Sequence, residues 1–251
     1  MMAAIDWNDT VIAHRGNSSE APENTLAAFD AAVASAQAAG AVPWIELDLQ
    51  LSADGHVVVI HDDQLERTTN GAGAVADHTL AELHQLDAGS WFAAEFVASR
   101  IPSLEQFVEW LTGTAAHVLV EYKGHWRAGE VTPTIAAFER AGVGDRLVLQ
   151  SFDPRTVHAL GQRAGDYPRG LLVDERAHYP GELMVAELLG VSAVNPAWQR
   201  VVADPDLVRR VHHLGASVAV WTPDTPEAWR QVRDAGVDAI ITNRPAAATS
   251  F

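Results

Sequence analysis

Two carboxylates lie two residues apart in a short apolar run, Glu-Leu-Asp at residues 46–48. Alternate residues of a β-strand point to the same face, so the side chains of Glu46 and Asp48 are expected to project together. Neighbouring carboxylates in an apolar strand repel and raise each other's pKa unless a cation lies between them. Glu121, at the end of another predicted strand, offers a third oxygen ligand. This set, in a chain without cysteine, favours a hard divalent cation, Mg²⁺ or Ca²⁺.

His14 and His61 each follow a predicted apolar strand and are candidates for proton transfer. Histidine titrates near neutral pH and suits the roles of general acid and general base. One histidine on each of two strand ends could serve the attacking and the leaving oxygen on opposite sides of a phosphorus atom. The alternatives for both residues are zinc ligation and a hydrogen-bonded place in the core.

Arg15 and Lys123 supply positive charge near these groups, and Lys123 is the single lysine of the chain. The formal net charge is −16, which argues against nucleic acid as a partner. A metal ion and two cations would create a local positive site for a phosphate. The alternative is a metal-free set in which the same two cations neutralise the carboxylates. Trp221, after a Val-Ala-Val strand, either forms an apolar wall of the site or packs in the core.

The elements that must position these residues follow a repeated order of amphipathic helix, glycine and short apolar strand. Continuously apolar runs at residues 10–13, 57–60, 118–120 and 218–220 are typical of parallel strands buried on both faces. The glycines predict left-handed helix ends, for example at Gly113 and Gly142. Helix starts are predicted at Thr79, Ser103 and three sites where proline follows the cap: Asp153-Pro154, Asp204-Pro205 and Thr225-Pro226.

About eight such units in 251 residues predict an α/β fold, a (β/α)8 TIM barrel, with a doubly wound open sheet as the alternative. Polar residues directly after the strands would then line the mouth of the barrel. Residues 61–102 break the rhythm and are interpreted as an insertion that covers the site. No linker divides the chain, so residues 1–251 are predicted to form one domain.

The longest uncharged stretch, residues 31–45, is shorter than the roughly 20 apolar residues of a membrane span. The first ten residues lack the basic and apolar regions of a signal peptide. The sequence therefore predicts a cytoplasmic protein without stable membrane insertion. Its oligomeric state is left open.

Several motifs in order along the chain resemble those of glycerophosphodiester phosphodiesterases. The N-terminal half carries AHRG at residues 13–16, APENTLAAF at 21–29, ELD at 46–48, VIHD at 59–62, RTTNG at 67–71 and IPSLE at 101–105. The C-terminal half carries EYK at 121–123, VWT at 220–222, GVD at 236–238 and ITNRP at 241–245. Each motif alone is weak, whereas the ordered set is specific and spans nearly the whole chain.

The resemblance implies a (β/α)8 barrel with a small insertion after the second barrel strand, so that residues 57–60 belong to the insertion or its edge. It implies metal-dependent hydrolysis of glycerophosphodiesters to sn-glycerol 3-phosphate and an alcohol. His14 and His61 resemble the acid–base pair, while Asn24 and Asn243 match motif positions with a supporting role. The implied metal ligands are Glu46, Asp48 and Glu121. The implied substrate-binding residues are Arg15, Lys123, Trp221 and Asn243.

Two other functions remain open at this stage. A lysophospholipase D-like or phosphoinositide-cleaving barrel would share the metal and the histidines, but it needs an apolar surface for acyl chains. A non-catalytic barrel that binds phosphodiesters would have lost a catalytic histidine or a metal carboxylate, and this sequence keeps all of them. The preferred partner is therefore a small glycerophosphodiester.

Overall fold

A closed barrel of parallel strands forms the centre of the molecule. The computed structural model describes residues 3–175 and 181–251, in which we number the strands β1 (Thr10–Ala13), β2 (Trp44–Leu51), β3 (Val57–Val59), β4 (His117–Tyr122), β5 (Leu147–Ser151), β6 (Arg169–Val173), β7 (Ala193–Pro196), β8 (Ser217–Trp221) and β9 (Ala239–Thr242). β1 pairs with both β2 and β9, and each pairing around the ring is parallel. The predicted (β/α)8 barrel is confirmed, and the open-sheet alternative is wrong.

Helices follow the strands and cover the outside of the ring. They are α1 (Leu26–Ala38), α2 (Leu80–Leu83), α3 (Leu104–Thr112), α4 (Ala128–Ala141), α5 (Pro154–Arg163), α6 (Glu182–Leu189), α7 (Trp198–Ala203), α8 (Leu207–His213), α9 (Pro226–Asp234) and α10 (Pro245–Thr249). Short 3-10 turns occupy Val75–Asp77, Ala94–Phe96 and Gly144–Arg146. Within the described ranges, no helix has the length and apolar character that crossing a membrane requires.

Most of the predicted helix ends are confirmed. Thr79 and Ser103 complete capping boxes at α2 and α3, and Asp153 caps α5 ahead of Pro154. The prediction for Asp204-Pro205 is wrong, because α8 begins at Leu207 and Asp204 instead ends α7. Gly113 does end α3, but with φ −80° it keeps the right-handed conformation that any residue can adopt.

The apolar run at residues 57–60 is not a parallel barrel strand. β3 pairs antiparallel with the far end of β2, with Val59 opposite Leu49. The run is continuously apolar because its residues serve two cores. Val57 and Val59 join the main core, whereas Val58 and Ile60 pack into a separate core formed by the chain segment between β3 and α3. This agrees with the insertion after the second barrel strand that the family resemblance implies.

A close approach of two chain segments fixes the loop that follows β1. Gly16 has φ +82°, and a Cβ atom placed there would lie 2.6 Å from the backbone carbon of Ala28 in α1. Only glycine fits, because the left-handed backbone and the lack of space both exclude a side chain. This contact holds the loop after β1 against α1.

We expect Gly16→Ala to destabilise the protein more than Gly40→Ala does. Gly40 also has a positive φ, +69°, but open space surrounds its Cβ position. Gly40→Ala should therefore cost only the left-handed backbone strain of about 1–2 kcal/mol. Gly16→Ala should add an overpacking cost of about 1–3 kcal/mol. Urea unfolding of both variants measures the two losses, and equal losses would contradict the close-approach argument.

Candidate active site

A cavity of about 130 Å³ opens at the carboxyl ends of the barrel strands. In (β/α)8 barrels this end carries the active site, because the loops after the strands converge there. The cavity brings together six of the nine predicted site residues, and Gln150, Phe152, Leu172, Thr222 and Ile241 complete its wall. The six predicted residues are His14, Arg15, Glu46, His61, Glu121 and Trp221. Of the other three, Lys123 lies within ion-pair distance of both Asp48 and Glu121, and Asn243 contacts His14.

Three buried carboxylates form a cluster at the base of this cavity. The parallel register of β2 and β4 places Asp48 opposite Glu121, and Glu46 lies two residues earlier on β2. One ligand atom from each of the three lies within 4.8 Å of the others, although each side chain is buried. Burial and the charge of Asp48 raise the pKa of Glu121 to about 7 and raise that of Glu46 well above its usual range. The cluster therefore attracts either protons or a cation.

The donor set fits a divalent metal ion. All the ligand atoms are carboxylate oxygens, which hard cations prefer. Asn24 holds Asp48 in place by donating from Nδ2 to Oδ2 over 2.8 Å. The other oxygen of Asp48, Oδ1, is buried without a hydrogen-bond partner, which is a costly arrangement for a polar atom. An ion bound by the three carboxylates would satisfy it.

Arg15 and Lys123 lie beside the cluster and offset part of its negative charge. Lys123 Nζ lies 3.0 Å from a Glu121 oxygen and 3.8 Å from Oδ1 of Asp48. Arg15 Nε lies 3.4 Å from Oδ2 of Asp48, and its backbone N–H donates to Glu46. Burial disfavours the charge of Asp48, but these cations, Arg15 foremost, keep its pKa below the ordinary value. Both cations thus compensate carboxylate charge at the mouth of the barrel.

His14 follows β1 and is oriented by a chain of hydrogen bonds. Its Nδ1 lies 2.7 Å from Oδ1 of Asn243, whose Nδ2 donates to Asp224 over 2.6 Å. A carboxylate only accepts, so Asp224 fixes which end of the Asn243 amide faces His14. The oxygen faces the ring, and Nδ1 therefore carries the hydrogen. In the neutral ring this leaves Nε2, 4.0 Å from a Glu46 oxygen, free to accept a proton.

His61 has the same arrangement with a different partner. Its Nδ1 lies 2.6 Å from Oδ1 of Asp62, so a carboxylate takes the place that an amide has at His14. Gln50, two residues after Asp48 on β2, directs its Nε2 to the backbone carbonyls of His61 and Asp62, each 2.8 Å away. The strand that carries two of the carboxylates therefore also holds the segment that carries His61.

Burial keeps both imidazoles neutral in the metal-free protein. Burial and the positive charge of Arg15 lower the pKa of His14 to about 3. Burial also lowers the pKa of His61, and the charges of Arg15 and Lys123 act in the same direction. A neutral ring with one free nitrogen can take a proton from a reacting group.

An aromatic pair forms part of the wall of the cavity. Trp221 at the end of β8 packs edge-on against Phe152, with ring centroids 5.4 Å apart. Trp221 also donates from Nε1 to the Asn195 carbonyl at 2.9 Å, which fixes the plane of its ring. The residue therefore lines the cavity as well as packing against its neighbours. Phe152 is 38% exposed and offers apolar surface at the entrance.

Several residues of the site had no assigned role in the sequence. Phe152 directly follows Gln150 and Ser151 at a strand end, and this position was its one available signal. Asp224 lies 19 positions before Asn243, and only the fold brings the two together. Glu23 and Asp62 lie inside the motifs APENTLAAF and VIHD, but their hydrogen-bond partners could not be predicted from spacing.

Comparisons with known proteins agree with this geometry. A family model described as the glycerophosphoryl diester phosphodiesterase family matches residues 14–247. A glycerophosphodiester phosphodiesterase of Caldanaerobacter subterraneus is 35% identical over 237 residues, which cover 94% of each chain.

Solved structures are similar over nearly the whole chain. The crystal structure of a glycerophosphodiester phosphodiesterase from Agrobacterium tumefaciens superposes with a TM-score of 0.80 at 30% identity, covering 97% of this chain and 100% of its own. A phosphodiesterase of Oleispira antarctica, solved with the product sn-glycerol-3-phosphate, gives a TM-score of 0.81 at 30% identity, covering 96% and 95%.

We expect Mg²⁺ or Ca²⁺ to stabilise the metal-free protein more at pH 8 than at pH 5.5. The pKa of Glu121 is raised from 4.5 to about 7, so the metal-free folded state retains a proton that the unfolded chain releases. Stability therefore falls as the pH rises from about 4.5 to 7, and an ion that keeps the carboxylate charged removes this loss. An ion at about 100 times its Kd adds about 2.7 kcal/mol.

The melting temperature with and without each ion, at both pH values, measures this effect. Glu121→Gln should lose most of the rise at pH 8. The control Glu109→Gln, an exposed acid on α3, should keep it. A rise of the same size at both pH values, or in both variants, would contradict an ion at the carboxylate cluster.

Proposed function

The chain belongs to the glycerophosphoryl diester phosphodiesterase family, and from that premise we propose that it hydrolyses glycerophosphodiesters to sn-glycerol 3-phosphate and an alcohol. One observation carries the proposal: both histidines and carboxylates of the acidic cluster face the same cavity at the mouth of the barrel. The Oleispira antarctica relative, solved with sn-glycerol-3-phosphate, supports this product. We assign the reaction to one catalytic domain over residues 1–251 in the cytoplasm; both assignments stay predictions from the sequence.

We propose that Glu46, Asp48 and Glu121 hold one divalent cation, Mg²⁺ or Ca²⁺. The unpartnered Oδ1 of Asp48 and the raised pKa of both glutamates support this assignment. Such an ion would neutralise phosphate charge and lower the pKa of a hydroxyl or water bound to it. The chain itself contributes three preorganised carboxylates and Asn24, which holds one of them in place.

Arg15 and Lys123 would bind the phosphate of the substrate. Their side chains are only 16% and 17% exposed, so charge-assisted hydrogen bonds to the phosphate would be only weakly screened by water. Both cations are anchored by carboxylates, which keeps them in place before the substrate arrives. Trp221 and Phe152 would contact the apolar surface of the organic part of the substrate.

His14 and His61 would transfer the protons of the reaction. One Nε2 takes the proton of the attacking oxygen, which comes from water or from the glycerol hydroxyl of the substrate. The bond from phosphorus to the alcohol oxygen then breaks, and the other histidine protonates that oxygen from Nε2. That second ring would enter the reaction as an imidazolium, which the negative charge of the bound phosphate would stabilise. Attack by the glycerol hydroxyl gives a cyclic phosphate, which water then opens. Both routes consume one water and yield glycerol 3-phosphate and the free alcohol.

The direct test is the release of glycerol 3-phosphate from glycerophosphocholine by metal-stripped protein. Mg²⁺, Ca²⁺ and Mn²⁺ are added back one at a time, and micellar lysophosphatidylcholine is offered in parallel. We expect release from the soluble substrate with at least one ion and none without an ion. Turnover of the micellar substrate alone would favour the lysophospholipase D-like function. No turnover of either substrate by folded protein would favour a binding barrel.

We expect His14→Ala and His61→Ala each to lower kcat by about 10²–10⁴-fold, because each removes one proton-transfer group. The matched control is His158→Ala, which removes an exposed histidine of α5 and should retain wild-type turnover. Circular dichroism and melting temperature verify that all three variants are folded. Unchanged turnover in either active-site variant would remove that histidine from the mechanism.

A further inference from the structure

Arg67, in the segment after β3, binds two carboxylates at once. Its Nη1 and Nη2 donate to the two oxygens of Glu23, each over 2.8 Å. Its Nε and the second hydrogen of Nη2 donate to the two oxygens of Asp62, the latter over 3.0 Å. Four of the five N–H groups of the guanidinium are therefore used, in two bidentate contacts.

Each of these carboxylates also contacts a different residue of the proposed active site. Asp62 accepts the hydrogen bond from Nδ1 of His61, at 2.6 Å. Glu23 lies in the loop after β1 and binds Arg15 Nη1 at 2.7 Å. Arg15 in turn lies 3.4 Å from Asp48 of the acidic cluster. Arg67 thus stands in the middle of a continuous chain of side chains that joins His61 to Arg15.

The two ends of this chain belong to separate parts of the sequence. Glu23 precedes α1, whereas Asp62 and Arg67 follow β3 in the excursion between β2 and α3. A bidentate contact restricts both distance and plane, which a single ion pair between flexible side chains does not. Arg67 therefore limits how far the segment that bears His61 can move from the loop that bears Arg15.

We propose that Arg67 is a positioning residue for the phosphodiesterase reaction, which holds His61 and Arg15 at the separation that the reaction needs. It acts through Asp62 and Glu23 and does not itself contact the substrate. The inference rests on the proposed function, since it assigns His61 to proton transfer and Arg15 to the phosphate. Lysine would not replace it, because an ammonium group cannot make two planar bidentate contacts.

A purely structural role is the competing explanation, and the side chain of Arg67 makes it testable. That side chain is 46% exposed, so an isolated ion pair there would stabilise the fold little. Arg210 on α8 offers a matched control, because its side chain is 48% exposed and pairs with Asp204, outside the site. Arg210→Met should leave kcat and KM at the wild-type values.

We expect Arg67→Met to lower kcat for glycerophosphocholine by about 10–100-fold, the scale of a misplaced reacting group, with a smaller change in KM. Arg67→Lys should recover little of this loss. Millimolar guanidinium added to Arg67→Ala should restore part of kcat, whereas methylammonium should not. Equal kcat in Arg67→Met and Arg210→Met, or a loss that matches the unfolded fraction, would overturn the proposal.

A double-mutant cycle with Asp62→Ala tests the route of the effect. Because Arg67 acts partly through Asp62, Arg67→Met should cost less in the Asp62→Ala background than in the wild type. Losses that multiply independently would overturn a role through Asp62.

The ring of His61 gives a readout that does not depend on turnover. In wild-type protein, ¹⁵N NMR should show the neutral ring with its hydrogen on Nδ1, because Asp62 accepts there. Arg67→Met should broaden or shift these ring signals, and Arg210→Met should not. If wild-type protein lacks activity but this shift occurs, the proposed function fails and the positioning contact stands. If wild-type protein is active and the ring signals stay unchanged in Arg67→Met, the positioning role fails.

Discussion

Repulsion among three buried carboxylates is the constraint on which the rest of this site depends. The barrel register itself sets it, because β2 and β4 pair with Asp48 directly opposite Glu121, and Glu46 lies two residues earlier on the same face of β2. The fold cannot separate these groups without breaking the sheet. Their negative charge must be balanced locally by protons, by Arg15 and Lys123, or by a divalent ion. A phosphate is attracted to such a site only where the local positive charge exceeds the negative charge of the carboxylates. A local excess of this kind would let a chain of net charge −16 bind an anionic substrate.

In the loops around the mouth of the barrel, acidic and basic side chains alternate from the cluster outward. Glu23 stands between Arg15 and Arg67, and Asp62 stands between Arg67 and His61. The two histidines are held through the same ring nitrogen but by unlike acceptors, an amide at His14 and a carboxylate at His61. The neutral acceptor stabilises an imidazolium less than the anionic one does. The two otherwise similar groups therefore differ electrostatically, which suits the different roles of acid and base that we propose for them.

Local rules predicted much of the fold, and they failed where distant segments compete. Apolar runs and helix caps predicted the barrel, since each depends on a few neighbouring residues. The prediction of a parallel barrel strand at residues 57–60 was wrong, because an antiparallel strand between two cores is as continuously apolar as a buried parallel one. For the site, strand periodicity predicted that Glu46 and Asp48 face one way. Positions at the ends of predicted strands indicated His14, Arg15, His61, Glu121, Lys123 and Trp221, and the motif resemblance assigned roles to Asn24 and Asn243. The contacts of Asp224 with Asn243 and of Arg67 with Glu23 join residues 19 and 44 positions apart. Gln50 reaches the carbonyl of His61 only through the pairing of β2 with β3, so spacing carried no signal for any of them.

The most direct test of a divalent ion at the carboxylate cluster is anomalous diffraction from a crystal soaked in Mn²⁺, a stand-in for Mg²⁺ or Ca²⁺ with a strong anomalous signal. We expect one strong peak bound by oxygens of Glu46, Asp48 and Glu121, with Oδ1 of Asp48 among the ligands. A cluster without a peak, in which Lys123 and Arg15 alone neutralise the carboxylates at saturating Mn²⁺, would contradict it.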